Sequence, residues 1–167
     1  MGSDVTIRPA EQDDLRDIAT IYDHEVANGI STFDLEPPPL AYWQEKLAST
    51  HKGDYLLVAV DADDDVVGYA YSCSYRPRPA YELTRETSLY LDSSARGRGI
   101  GRVLYPALLD RMATSGVHTA LAIVALPNPG SVQLHRAVGF EHIGTMREVG
   151  YKFERWIDVA WFQLHLS

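Results

Sequence analysis

The chain has one cysteine, Cys73, in 167 residues. No internal disulfide can form and no cysteine-based zinc site can be built, which points to a reducing compartment and a cytoplasmic location. The thiol itself reads as a small buried hydrophobe rather than a nucleophile. Positive charge is also scarce. Against 23 Asp and Glu stand 15 Lys and Arg, a net charge of −8, so general affinity for nucleic acid or anionic lipid is excluded and any anion site must be local. No apolar run reaches the length of a membrane span, and the start of the chain, with Asp4 and Arg8, lacks the basic-then-apolar pattern of a signal segment. Missing too are His-Glu-x-x-His, Gly-x-Ser-x-Gly and the Gly-Lys-Ser/Thr of a P-loop, and with them the signatures of metallohydrolases, serine hydrolases and P-loop proteins. His24, His51, His118, His142 and His165 show no ligand spacing, and no metal is expected.

What is present suits one globular domain over residues 1–167, with Met1, Gly2 and Ser3 set aside. Hydrophobic residues make up 46% and charged residues 23%, too apolar for disorder and ordinary for a packed core. Val5 to Arg8 alternates like a strand. Leu15, Ile18, Ile21, Tyr22 and Glu25 recur at helical spacing after Asp14, a capping residue, and Gly29 ends that helix. Asn28 to Glu36 reads as a loop, and Leu40 to Ala48 as a short second helix after three prolines. Tyr55 to Val60 and Val66 to Tyr75 form a hairpin around the acidic turn Asp61 to Asp65. That turn lacks the glycine and distal Glu of a calcium loop and is taken as surface. After an irregular stretch from Arg76 to Ala80, Thr87 to Leu91 is another strand, and Val103, Leu104, Leu108, Leu109 and Met112 give a helical stripe to Gly116. Pro106 either kinks that helix or marks a later start. Leu121 to Val124 is a strand, Ser131 caps a helix to Val138, and Phe140 to Val149 and Trp156 to His165 close the chain as strands. The order is mixed α/β with a sheet that is not wholly parallel.

Between the Thr87 strand and the long helix lies Arg96-Gly97-Arg98-Gly99-Ile100-Gly101-Arg102. Glycines just before a helix leave backbone N–H groups open at the positive end of a helix dipole, and three arginines add charge to an otherwise acidic chain. That combination reads as a phosphate cradle. The dinucleotide fingerprint fails because Arg102 stands where its third glycine belongs.

The spacing Arg96-x-x-Gly99-x-Gly101, followed by Asn128 and then His135-x-x-x-Gly139-Phe140, resembles the GNAT acetyltransferases, whose loop grips the pyrophosphate of coenzyme A. The segments Arg78-Pro79-Ala80-Tyr81, Glu86-Thr87-Ser88-Leu89-Tyr90, Leu126-Pro127-Asn128 and Gly150-Tyr151-Lys152, with Tyr22-Asp23-His24 and Thr32-Phe33, are similar to the phosphinothricin and methionine sulfoximine/sulfone N-acetyltransferases. The likeness runs from Ile7 to Leu164. It implies a central mixed, largely antiparallel sheet with splayed central strands and about four flanking helices.

The resemblance also implies chemistry: transfer of acetyl from acetyl-CoA to the primary amine of a small amino-acid analogue, without metal, in a homodimer, with a role in antibiotic or herbicide resistance. Glu86 is the implied base, because only a neutral amine has the lone pair that attacks a thioester. Leu89, Tyr90 and Leu91 would hold the thioester along the splayed strand. Arg96 to Arg102, including Gly97, Arg98, Gly99, Ile100 and Gly101, would hold the pyrophosphate, with Asn128 and Ser131 on the facing helix. His135 stands where related enzymes carry a tyrosine, as general acid or substrate ligand, and Tyr105 shares either task. Phe33, Tyr71, Arg78, Tyr81 and Lys152 are implied around the amine, and Arg76 or Arg78 reaches its acid group. The alternatives are acetylation of a protein amino terminus or a polyamine, or a non-catalytic acyl-CoA-binding protein.

Overall fold

A computed structural model describes residues 4–167; Met1, Gly2 and Ser3, set aside above, lie outside the described residues. Seven strands form one sheet in the order β1-β2-β3-β4-β5-β7-β6. They are β1 (Thr6–Pro9), β2 (Tyr55–Val60), β3 (Val66–Ser74), β4 (Thr84–Leu91), β5 (Thr119–Ala125), β6 (Glu141–Lys152) and β7 (Arg155–His165). The helices are α1 (Leu15–Asn28), α2 (Leu40–Ala48), α3 (Gly101–Thr114) and α4 (Pro129–Ala137). Every strand pair is antiparallel except β4 with β5, and a parallel pair needs a crossover, which α3 supplies.

The sheet buries both faces, and the strand residues sort by period two. Leu57, Ala59 and Ala70 pack with Leu104, Leu108 and Met112 of α3. Leu56, Val58, Tyr69 and Tyr71 pack on the other side with Ile18 and Tyr22 of α1 and Trp43 of α2. This second face is built of aromatic edges: Trp43 meets Tyr22 and Tyr69 edge-on, with centroids 5.2 and 5.4 Å apart.

Several expectations need correction. β4 starts at Thr84, not Thr87, because Arg85 is buried against Asp54 and Glu86 pairs across to Cys73. For α3 the structure decides an open choice rather than correcting one: the helix begins at Gly101 and the proline, Pro106, sits inside it. Its missing N–H leaves only the Arg102 carbonyl without a helical donor. Asp14 does not cap α1 with its side chain. It binds Arg8 and closes a capping box with Glu11 around a short 3₁₀ turn. Ser131 does not cap α4 either: Asn128 does, its side-chain oxygen accepting from the Ser131 amide at 3.1 Å.

Candidate active site

The β4–β5 ladder holds for only four pairs, Thr84↔Thr119 to Thr87↔Ala122, although both strands continue. Ladder parity shows what the split exposes. Asp92 N donates to Val67 O, and hydrogen-bonded pairs alternate along an antiparallel ladder, so Ser88 and Tyr90 turn their backbone groups to β3. Leu89 and Leu91 turn theirs to β5. On β5, Leu126 N donates to Asp158 O, and by the same parity Ile123 and Ala125 face β4. Two rows of backbone donors and acceptors thus meet across a gap instead of each other. The gap is a cleft of about 610 Å³, lined by Leu89, Tyr90, Leu91, Ile123, Ala125 and, at one end, the glycine loop.

At that end the backbone sets the chemistry. Gly97 and Gly99 have φ of +75° and +78°, and open space surrounds the place where a Cβ would stand. Backbone conformation, not crowding, demands glycine there. The amides of Arg102, Val103 and Leu104 find acceptors at Gly99 and Ile100, whereas those from Gly97 to Gly101 have none among the described residues. They form an anion site at the start of a helix. Gly101 serves packing: a Cβ there would stand 2.8 Å from Leu134 of α4. Of the sequence-predicted cofactor residues, Arg96, Gly97, Gly99, Ile100, Gly101, Arg102, Asn128 and Ser131 all border the cleft, and Arg98 is exposed beside it. Arg96 is also paired, its Nη2 lying 2.9 Å from Glu25 Oε2.

Where the split opens, a buried hydrogen-bond chain begins. Thr87 Oγ1 lies 3.2 Å from the Leu121 carbonyl and 2.6 Å from Tyr105 Oη, which lies 3.1 Å from His135 Nε2. His135 Nδ1 is 2.7 Å from the Ser131 carbonyl, a pure acceptor, so Nδ1 carries hydrogen. In the neutral ring Nε2 therefore accepts from Tyr105, and Tyr105 accepts from Thr87. A protonated ring reverses every bond, with Nε2 donating to Tyr105, Tyr105 to Thr87 and Thr87 to Leu121. Burial pushes the His135 pKa below the ordinary histidine value, so the neutral arrangement is the resting one. Burial likewise keeps Tyr105 a phenol.

On the opposite face of β4, one residue earlier, stands half-buried Glu86. Burial raises its pKa, and Lys46 and Arg76 partly offset that. Lys46, from the last turn of α2, holds its Nζ 4.2 Å from the Tyr71 ring and 4.7 Å from Tyr42. Arg76 lies 5.1 Å over Tyr75, which meets Tyr81 edge-on. Arg78, exposed, leads into the 3₁₀ turn that holds Tyr81. Phe33 lies on Gly150 of β6, at a place where any Cβ would collide with its ring. Lys152 is buried and donates to the Thr32 carbonyl at 3.0 Å. Tyr71 thus sits beneath this surface and Tyr81 joins it through Tyr75, whereas Phe33 and Lys152 meet between the α1–α2 loop and β6.

Sequence reasoning missed Lys46, Thr87 and Glu25 as site residues. Lys46 carried no motif, and Thr87 lay within the Glu86–Tyr90 segment without being singled out. Glu25 was assigned to a helical stripe, and the one signal for more was a charge among apolar neighbours.

The chain matches the acetyltransferase (GNAT) domain over residues 7–161. It is 43% identical over 164 residues, 96% of each chain, to the phosphinothricin N-acetyltransferase of Streptomyces coelicolor. To the L-methionine sulfoximine/L-methionine sulfone acetyltransferase of Pseudomonas aeruginosa it is 38% identical over 163 residues, covering 97% of this chain and 95% of the relative. The solved structure of a phosphinothricin acetyltransferase from Sinorhizobium meliloti, in complex with AcCoA, aligns at a TM-score of 0.94 and 39% identity, over 98% of this chain and 89% of that one. Shared sequence along nearly the full length and a shared fold lead to one conclusion: the chain belongs to the GNAT family of acetyltransferases.

Proposed function

We propose that the protein acts as one catalytic domain that acetylates the primary amine of a small amino-acid analogue of the phosphinothricin or methionine sulfoximine/sulfone type, using acetyl-CoA directly, and so confers resistance to such compounds in the cytoplasm. The observation that carries this reading is the position of Glu86, a partly desolvated carboxylate one residue from the point where the β4–β5 ladder opens. Among the described residues no helix is long and apolar enough to cross a membrane.

Backbone amides from Gly97 to Gly101 bind the pyrophosphate, with Arg98 and Arg102 adding charge and Asn128 and Ser131 bordering it. Leu89 and Leu91 align the pantetheine arm and direct amide hydrogens at the carbonyl oxygen where charge develops. Proton accounting then assigns the remaining groups. An ammonium begins with three N–H hydrogens and the amide product keeps one, so nitrogen loses two protons. Glu86 takes the first, and its raised pKa brings it closer to that task. The second belongs on the departing sulfur. The Thr87–Tyr105–His135 chain, resting with Nε2 as acceptor, receives that proton and returns it to the thiolate, so His135 becomes an acid only after reversal of the chain. Arg76, Arg78 and Tyr81 meet the acid group, Phe33 walls the side chain, and Tyr71 and Lys152 support them from below.

We further infer a homodimer. Its support here is apolar exposure along β6, β7 and their turn, where Trp156 is 60% exposed, Tyr151 56%, Ile143 53% and Phe153 50%, a patch that a second copy would cover.

Thiol release from acetyl-CoA tests the reading, with phosphinothricin, methionine sulfoximine, methionine sulfone, spermidine and an amino-terminal peptide as acceptors. Turnover with one of the first three, lost in Glu86→Gln, is the expected result. Turnover only with spermidine or the peptide replaces the substrate class, and acetyl-CoA binding without turnover on any acceptor makes the protein a binder.

A further inference from the structure

From Gly29 to Pro39 the chain between α1 and α2 has neither helix nor strand, yet its first half is fastened to the cleft on one side and to β6 on the other. Toward the cleft, Glu25 Oε1 accepts from the Ser31 amide at 3.1 Å while Oε2 accepts from Arg96 at 2.9 Å. Tyr90 Oη donates to the Ser31 carbonyl at 3.2 Å. Toward β6, Lys152 holds the Thr32 carbonyl, and Phe33 lies on Gly150.

Glu25 is the joint. Its side chain is only 8% exposed. Burial pushes its pKa up, but Ser31 and Arg96 together outweigh burial and hold it below the ordinary value, so the carboxylate is charged. Room for it depends on Gly29, whose backbone is extended (φ −121°) and open to any residue. A Cβ at that position would collide with the Glu25 carboxylate itself.

Resting on the acetyl-CoA reading of the cleft and on the proposed place of Phe33 beside the amine, we infer that Glu25 is a positioning residue that couples the two ligand sites, gripping Arg96 of the phosphate loop and Ser31 of the α1–α2 loop so that each ligand strengthens the binding of the other. Arg96 has five donors, and Glu25 occupies one through Nη2. An anion on the outward donors fixes the guanidinium, which fixes Glu25 and through it Ser31, Thr32 and Phe33. The ligand that orders this loop first meets its entropy cost, and the second ligand does not meet it again. Such coupling is reciprocal.

Calorimetric titration provides the test, with CoA as one probe and, as the other, the panel amine that gives turnover. In the wild type the amine binds about tenfold more tightly with saturating CoA, and CoA gains by the same factor from the amine. Glu25→Gln brings that ratio to within about twofold of unity. Gly29→Ala does the same, although it keeps both charges and only displaces the carboxylate. In an Arg96→Gln background, Glu25→Gln changes the ratio no further. Wild type that binds both ligands independently, or a variant that loses thermal stability with the ratio intact, overturns the assignment. Failure of the wild type to bind CoA would instead sink the acetyl-CoA reading.

Discussion

The cleft between β4 and β5 and the surface around Glu86 adjoin at Thr87, yet they are made of different material. The cleft works through backbone: unpaired strand groups at Leu89, Leu91, Ile123 and Ala125, and loop amides freed by Gly97 and Gly99. The Glu86 surface works through side chains contributed by α2, β3, β4 and the segment after β3. A backbone site depends on conformation and tolerates changes of side chain. A side-chain site changes with each substitution, and one altered contact shifts preference by roughly 1 to 3 kcal/mol. One molecule can therefore keep its acyl donor while its acceptor varies.

Glu86→Gln puts the heaviest load on that comparison. It should lower kcat by about 10²- to 10⁴-fold and leave acetyl-CoA affinity as it was; a change in that affinity would show that the regions are not separable. The same variant should raise thermal stability at neutral pH. A carboxyl whose pKa is higher folded than unfolded stabilises below its unfolded pKa and loses that contribution as pH rises through the folded value. The gain should vanish in acid, and melting curves across pH would show it.

Next in size is Thr87→Val at the junction. It leaves the buried Tyr105 hydroxyl with one partner fewer, a loss of about 1 to 3 kcal/mol by denaturant unfolding, and turnover falls with both ligand affinities nearly intact. Gly99→Ala follows. Left-handed backbone costs an L-residue about 1 to 2 kcal/mol, and because the surrounding space is open the cost should appear as a raised acetyl-CoA KM and an unchanged amine KM. A rise in the amine KM instead would blur the division. The smallest effect is that of Lys46→Ala. Lys46 lowers the Glu86 pKa, so its removal should move the acid limb of the kcat/KM profile upward in pH. An unmoved limb would take Lys46 out of the site.

Much of the fold could be read from the sequence, because apolar period and turn residues mark each element locally. The places that misled were those where tertiary partners overrule local pattern. Strand pattern alone starts β4 at Thr87, and Asp54 and the Ser74 register carry the strand back through Arg85. Ser131 looks like a cap, and Asn128 three residues earlier takes that place. The anion loop was legible because its glycines adjoin in sequence. The pairing of Glu25 with Arg96 was not, since 71 positions separate them.

The four-pair parallel ladder has a mechanical meaning. It joins two half-sheets, β1 to β4 and β5 to β7, along one short seam, so the sheet is stiff in each half and weak across the middle. A pantetheine chain in the split would supply the hydrogen bonds that a longer ladder would have made, standing in for a missing length of strand. Amide hydrogens of Leu89, Leu91, Ile123 and Ala125 would then exchange with solvent until the donor arrives and slow once it closes the seam.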